Sequence, residues 1–227
     1  MRSDQSLLAG VMCLTAVAGI AQADTLGFRN WLDANPSMPN STENEWYGTG
    51  GIGGPLLTPT GTEWITPGDP LGIPTIGPVL HIGDYGPANP ATFEGCFVHP
   101  GGPPAVVVFE PTESLTLSSV TVHWEFVANG TGGNGVALEV LTTIGGVTTG
   151  HGTRIIHGTP NDSFEEFAFV EPIQFGTDDH VNFAFWSNGS SIMDHVNFDA
   201  WVTPVPEPTT ACLVLLGAAC STLRRRR

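Results

Sequence analysis

The chain has 227 residues with a formal charge of −15, and its central stretch, residues 24–204, holds 20 acidic residues against Arg29 and Arg154 and no lysine, a formal −18. Two arginines cannot provide the basic footprint that phosphate backbones require, so nucleic acid is excluded as a partner. The stretch is long enough for one domain with a substantial core, and its acidic surface favours hydration and solubility, with divalent cations or a saline habitat as the charge-related alternatives.

Residues 1–23 begin with Arg2 in a short polar start, continue through an apolar stretch from Leu7 to Ile20, and end on Ala21-Gln22-Ala23. Small residues at 21 and 23 are the arrangement that signal peptidase cuts after, no stop-transfer charges follow, and mature protein is expected to start at Asp24. A lipoprotein reading through Cys13 is the alternative, although Gly10-Val11-Met12 is a poor approach to lipid attachment. Of the other cysteines, Cys212 and Cys220 lie near the C-terminus, so Cys96 stands alone in the body and no intramolecular disulfide is expected there. Cys96 reads as a small apolar residue.

From residue 24 to about 104 the chain is crowded with Gly and Pro, which predicts short strands joined by ordered loops, pinned by Trp31, Trp46, Tyr47, Trp64 and Tyr85. From Ala105 onward a two-residue alternation takes over. Val120, Val122, Trp124 and Phe126 share one face, as do Val136, Leu138 and Val140, Phe167 and Phe169, Val181, Phe183 and Phe185, and Val196, Phe198, Ala200 and Val202. Turn residues separate these runs, among them Asn129-Gly130, Gly145-Gly146, Pro160-Asn161-Asp162 and Asn188-Gly189. No amphipathic helix of useful length is expected before the tail. Many short antiparallel strands with one apolar face must pack sheet on sheet, so the fold class is all-β: an antiparallel β-sandwich of jelly-roll type.

The tail, residues 205–227, has three parts. Pro206-Glu207-Pro208 forms an extended strip after Val205, residues 211–223 are an apolar run of 13 residues, and Arg224, Arg225, Arg226 and Arg227 close the chain. Thirteen residues, or 15 counted from Thr209, fall short of the roughly 20 that cross a bilayer core untilted. Snorkelling arginines supply the missing reach and hold their end in the cytoplasm, which places the body outside. A plain tail anchor is the alternative reading of the same segment.

These three parts in this order resemble the PEP-CTERM sorting signal of Gram-negative bacteria. The resemblance implies recognition by an exosortase, an inner-membrane precursor with a short transmembrane segment over about residues 209–223, and delivery to the cell surface or extracellular matrix. A second resemblance covers the body. Asn35-Pro36 with Glu45-Trp46-Tyr47-Gly48, Val98-His99-Pro100-Gly101, Phe175-Gly176-Thr177-Asp178 and the last strand from Asn197 to Val202 are similar to the jelly-roll ectodomains, related in form to carbohydrate-binding modules, that often precede such tails.

Chemistry-bearing patterns are sparse. There is no Gly-x-Ser-x-Gly elbow, no His-Glu-x-x-His helix, and no cysteine paired with a base. Glu125 and Glu139 fall on what read as neighbouring strands and could face each other as the carboxylate pair a glycoside hydrolase needs, although acids are common on the wet face of a sheet. The seven histidines lack ligand spacing for zinc. Asp178, Asp179, Asp194 and Asp199 cluster near loops of the last two strands as candidate oxygen ligands for a structural calcium; otherwise no cofactor is expected. Trp46, Tyr47, Trp186 and Trp201 are the candidate sugar-stacking aromatics, with Trp186 and Trp201 on the phase opposite the apolar faces of their strands; packing beneath a loop of the Gly/Pro-rich half is the competing role. Sequons at Asn40, Asn129, Asn161 and Asn188 fit surface loops.

The sequence therefore reads as a non-enzymatic exported surface or matrix protein with signal peptidase and an exosortase as partners in export. A module for extracellular polysaccharide is the first alternative and a jelly-roll glycan hydrolase or lyase the second.

Overall fold

The computed structural model describes residues 26–35, 37, 39–60, 64–65, 75–78, 96–101, 103–128, 135–156, 163–189 and 194–205. Thr25–Pro204 form one compact unit, and Met1–Asp24 with Val205–Arg227 form another. The signal peptide, the Pro-Glu-Pro strip and the apolar tail segment lie outside the described residues, among which no helix is long and apolar enough to cross a membrane.

In chain order the domain comprises β1 (Leu26–Gly27), α1 (Phe28–Ala34), β2 (Trp46–Gly50), β3 (Thr58–Pro59), β4 (Trp64–Ile65), β5 (Thr75–Pro78), β6 (Cys96–His99), β7 (Ala105–Phe109), β8 (Leu115–Ala128), β9 (Val136–Ile144), β10 (Val147–Ile156), β11 (Ser163–Phe175), β12 (His180–Ser187) and β13 (Asp194–Pro204). These form an eight-stranded sheet in the order β11-β8-β13-β6-β5-β4-β3, with β1 also on β13, and a five-stranded sheet in the order β10-β9-β12-β7-β2. The pairing has a simple logic. β9 pairs with β10, β8 with β11, β7 with β12 and β6 with β13, all antiparallel. One long double ribbon, closed at the β9–β10 turn, is thus rolled so that successive strands fall in alternate sheets, which is a jelly roll. The ribbon's tip is Gly145-Gly146 with φ of 55° and 79°, the two left-handed residues that a tight turn matching strand twist demands.

The inner faces of both sheets make the core. Val120, Val122, Trp124, Val136, Leu138, Val140, Phe167, Phe169, Val181, Phe183, Phe185, Val196, Phe198, Ala200 and Val202 are all buried there, as their alternation predicts. Each fully buried Val, Leu or Phe contributes about 1.5–3 kcal/mol relative to exposure. Its aromatic centre is Trp46, whose ring lies 5.1 Å from Phe28, 5.0 Å from Phe109 and 6.0 Å from Phe183. Phe198 joins it through Phe183 at 5.5 Å and Phe185 at 4.8 Å.

Three elements depart from the sequence reading. β7 is apolar at every position because it is buried on both faces: Ala105, Val107 and Phe109 enter the core, while Val106 and Val108 join Tyr47, Leu141 and Ala184 in a second cluster on the outside of the five-stranded sheet. Ile52 and Leu56, from the loop after β2, pack against that cluster. β10 is an edge strand, largely exposed and therefore without an apolar period. α1 is a short helix in the half where none was expected; its Phe28 and Leu32, four residues apart, enter the core together.

Candidate functional site

α1 begins without a local cap. Gly27 at its N-cap offers no side chain, and no acidic residue stands in the first turn. The missing acceptor comes from 170 residues away: Asp199 Oδ1 accepts the backbone N–H of Arg29 at 2.9 Å and that of Ala200 at 2.8 Å. On β13 this carboxylate sits where the neighbouring strand changes from β6, whose pairing stops at Phe198, to β1, whose pairing starts at Trp201. Asp199 is 5% exposed. Burial raises its pKa from 3.8 to about 6, against the opposing pull of its two backbone N–H donors and of Arg29 and His123 nearby. His123, its register partner on β8, is buried too.

The four candidate calcium ligands are divided between the two sheets. Asp178 and Asp179 precede β12 of the five-stranded sheet, whereas Asp194 and Asp199 belong to β13 of the eight-stranded sheet. Asp179 accepts backbone N–H bonds from Gly145 at 2.7 Å and Gly176 at 2.8 Å, tying the β9–β10 and β11–β12 turns together, and these bonds hold its carboxyl below the usual range. Asp199 is committed to α1. Among the described residues no three His, Cys, Asp or Glu side chains meet in a metal-holding group. Calcium and magnesium at matched ionic strength should therefore raise the melting temperature equally, by screening the −18 body. A saturable calcium-only response in titration calorimetry would contradict this.

The aromatic candidates separate as well. Trp46 is wholly buried in the core, and Tyr47, though on the outer phase, is buried beside Val108, its hydroxyl donating to Glu110 Oε2 at 2.6 Å. Burial and Glu110 push the Tyr47 phenol above its ordinary pKa, so it stays protonated near neutrality and donates to Glu110. Glu45, at the same end of β2, is raised by burial. Trp201 is half-buried on the outer side of the eight-stranded sheet, so close to β1 that a β-carbon on Gly27 would stand 2.8 Å from its Cδ1. Trp186 alone of the four is exposed, at 37%, on the outer side of the five-stranded sheet. There it shares a cross-strand row with Ala137 and with Ile155, which is 50% exposed, while Glu139 lies in the next row opposite Ala184. Trp186 and Trp201 therefore stand on opposite sheets and do not form one platform. Glu125 and Glu139 likewise fall on β8 and β9, which belong to different sheets rather than being neighbours.

Other polar groups have structural duties. Asn40, a sequon residue, donates its amide to the carbonyls of Gly48 and Leu57 at 2.8 and 2.6 Å and accepts the Gly48 N–H at 2.8 Å, pinning the loop after β2. At the open side of the sandwich, Arg154 of β10 pairs with Glu165 of β11 and lies 5.4 Å from the Phe167 ring centre. His151 there contacts Phe169 at 4.8 Å and shares a hydrogen bond of 2.8 Å with Thr142 Oγ1; burial lowers its pKa. His81, Tyr85, His157, Asn129 and Asn161 lie outside the described residues.

No protein-family model matches this chain, and no curated protein matches it. Among solved structures it is similar to the family 32 carbohydrate-binding module of C. perfringens NanJ in complex with galactose, at 14% identity and a TM-score of 0.35, covering 71% of this chain and 93% of that one. It is similar to the N-terminal cellulose-binding domain of Cellulomonas fimi β-1,4-glucanase C at 13% identity and 0.31, covering 76% and 97%. A mutant of xylanase 10C from Cellvibrio japonicus with xylopentaose matches at 11% and 0.35, over 75% of this chain but 29% of the enzyme. At these scores the likenesses carry no argument about ligand or activity, and the jelly-roll description rests on the strand pairing itself.

Proposed function

We propose that this chain is a non-enzymatic surface or extracellular-matrix protein of a Gram-negative bacterium. It is exported through the signal peptide ending at Ala23, held as an inner-membrane precursor by its tail, and sorted by an exosortase through Pro206-Glu207-Pro208. The observation that carries this reading is the order of the tail: a proline-isolated acid, an apolar run too short for an ordinary span, and four arginines. The body is consistent with it: Trp46 and Tyr47 are spent on buried clusters, while Asp199 caps a helix and Asp179 clamps two turns. Glu207→Ala tests the proposal. The variant should accumulate as a membrane-bound precursor, and equal mature product from variant and parent in fractionated cells would remove the sorting role.

A second reading, a module for extracellular polysaccharide, is favoured by one observation: Trp186 offers an exposed ring beside Ile155 and near Glu139. Pull-down on extracellular polysaccharides with the parent and Trp186→Ala separates the two, since a display scaffold shows no retention that depends on this ring.

A further inference from the structure

A β-sheet ends in strands whose outer N–H and C=O groups can pair with another chain, and native sheets block them with short strands, proline, charge, bulges or a covering loop. Most edges of this domain carry such a device. Beyond β2 it is a loop: Gly48 N–H donates to Asn40 Oδ1 at 2.8 Å, the Gly48 carbonyl accepts from Leu57 N–H at 3.0 Å, and Gly50 N–H donates to the Pro55 carbonyl at 2.9 Å. β11 is interrupted where its pairing with β8 breaks between Ala168 and Ile173, a segment that includes Pro172, and Glu166 and Glu171 are exposed along it. β1 and β3 have two residues each, and β3 ends on Pro59.

β10 is blocked far less. It runs for 10 residues at the end of the five-stranded sheet, pairs among the described residues with β9 alone, and contains no proline and no acid. The bulge at Gly150/Gly152 divides it into two runs. In the second, Arg154 gives its Nη1–H to the Thr153 carbonyl at 3.0 Å and pairs with Glu165, a charged guard on that part of the edge. The first run, residues 147–150, has no such guard and is exposed throughout, Val147 by 67%. Residues 140–161 are also the longest acid-free stretch of residues 24–204, so this is where two copies of a −18 body approach with the fewest carboxylates opposite one another. The run is its own complement: an antiparallel copy sets Val and Thr side chains against Val and Thr, pairs that suit a sheet. We propose that β10 is a self-association edge, at which a second copy of this chain adds its own β10 antiparallel through residues 147–150 and joins two five-stranded sheets into one. Both copies use the same edge, so the assembly closes as a dimer. Backbone hydrogen bonds and Val147 supply the attraction while net charge opposes it, so salt strengthens the pairing.

Sedimentation velocity of the chain purified from the producing cells in mild detergent, over a concentration series, tests this with the parent and the double variant Val147→Lys/Thr149→Lys. Both positions are exposed, so the variant should melt with the parent, and lysine on an edge strand opposes pairing. The lysines also reduce the net negative charge, so a lost dimer cannot come from added repulsion between the bodies. The parent should be a mixture whose dimer share rises with concentration and increases several-fold between about 0.05 and 0.5 M NaCl, and the variant should stay monomeric throughout. Amide hydrogen exchange in residues 147–150 should slow with concentration in the parent and not in the variant. A parent that is monomeric at every concentration overturns the proposal, as does a dimer that the lysines leave intact, which lies on another surface. A parent bound to a different protein and released from it by the lysines gives this edge to that partner and equally overturns self-pairing. If the variant fails to fold, the concentration dependence of exchange in the parent decides alone.

Discussion

Trp46→Ala should lower the stability of the domain by about 3–5 kcal/mol, the usual cost of emptying a large aromatic site in a core. The site cannot easily collapse, because Phe28, Phe109 and Phe183 surround the indole from α1, β7 and β12, elements fixed by their own strand pairing or core contacts. Against a typical total of about 5–15 kcal/mol this is a large fraction. At about 2–4 °C per kcal/mol for a domain of this size, the melting temperature should fall by roughly 6–20 °C. Trp46→Phe is the informative control. The indole Nε1 is buried and, among the described residues, has no hydrogen-bond partner. Phenylalanine keeps most ring contacts and removes that orphaned donor, whose burial costs about 1–3 kcal/mol, so it should stay within about 1.5 kcal/mol of the parent. A small loss for Trp46→Ala would return this residue to the list of binding candidates.

Asp199 should make the domain more stable in mild acid than at neutrality. Its carboxyl titrates at about 6 when folded against 3.8 when free, so between those values the folded chain binds the extra proton and the unfolded chain does not. Stability from this group is therefore full below about pH 4, falls as pH rises through about 6, and is level above. Two pKa units correspond to about 3 kcal/mol, a ceiling for the effect. Other carboxylates titrate in the same range, so the measurement is a difference: chemical denaturation of parent and Asp199→Asn from pH 4 to 7.5. Asparagine keeps an oxygen for the Arg29 N–H but carries no charge, so the parent should lose stability relative to the variant as pH rises. A difference that does not change with pH would mean that Arg29, His123 and the helix N-terminus fully offset the burial of this charge.

The long β-strands were legible because each has one face in the core, which writes a two-residue period into Val181, Phe183 and Phe185 or Val196, Phe198 and Ala200. β10 was hidden because an exposed edge strand has no such period. α1 was hidden because its cap is tertiary: nothing near Gly27 announces a helix, and the acceptor is on the last strand. Trp46 and Tyr47 illustrate a further limit. Alternation places them on opposite faces of β2, yet both are buried, because the loop carrying Ile52 and Leu56 packs on the outer cluster that includes Tyr47. For Trp186 and Trp201 the outward phase was correct, and the jelly roll itself held the missing step: consecutive strands alternate between sheets, so outward residues on β12 and β13 point away from each other.

The most direct test of the account is the intact mass of the protein recovered from the cell surface or matrix. The account predicts a chain that begins at Asp24 and lacks everything beyond the Pro206-Glu207-Pro208 strip, including Arg224 to Arg227, while full tails occur only in the inner-membrane fraction. Surface protein that still ends at Arg227 would contradict it.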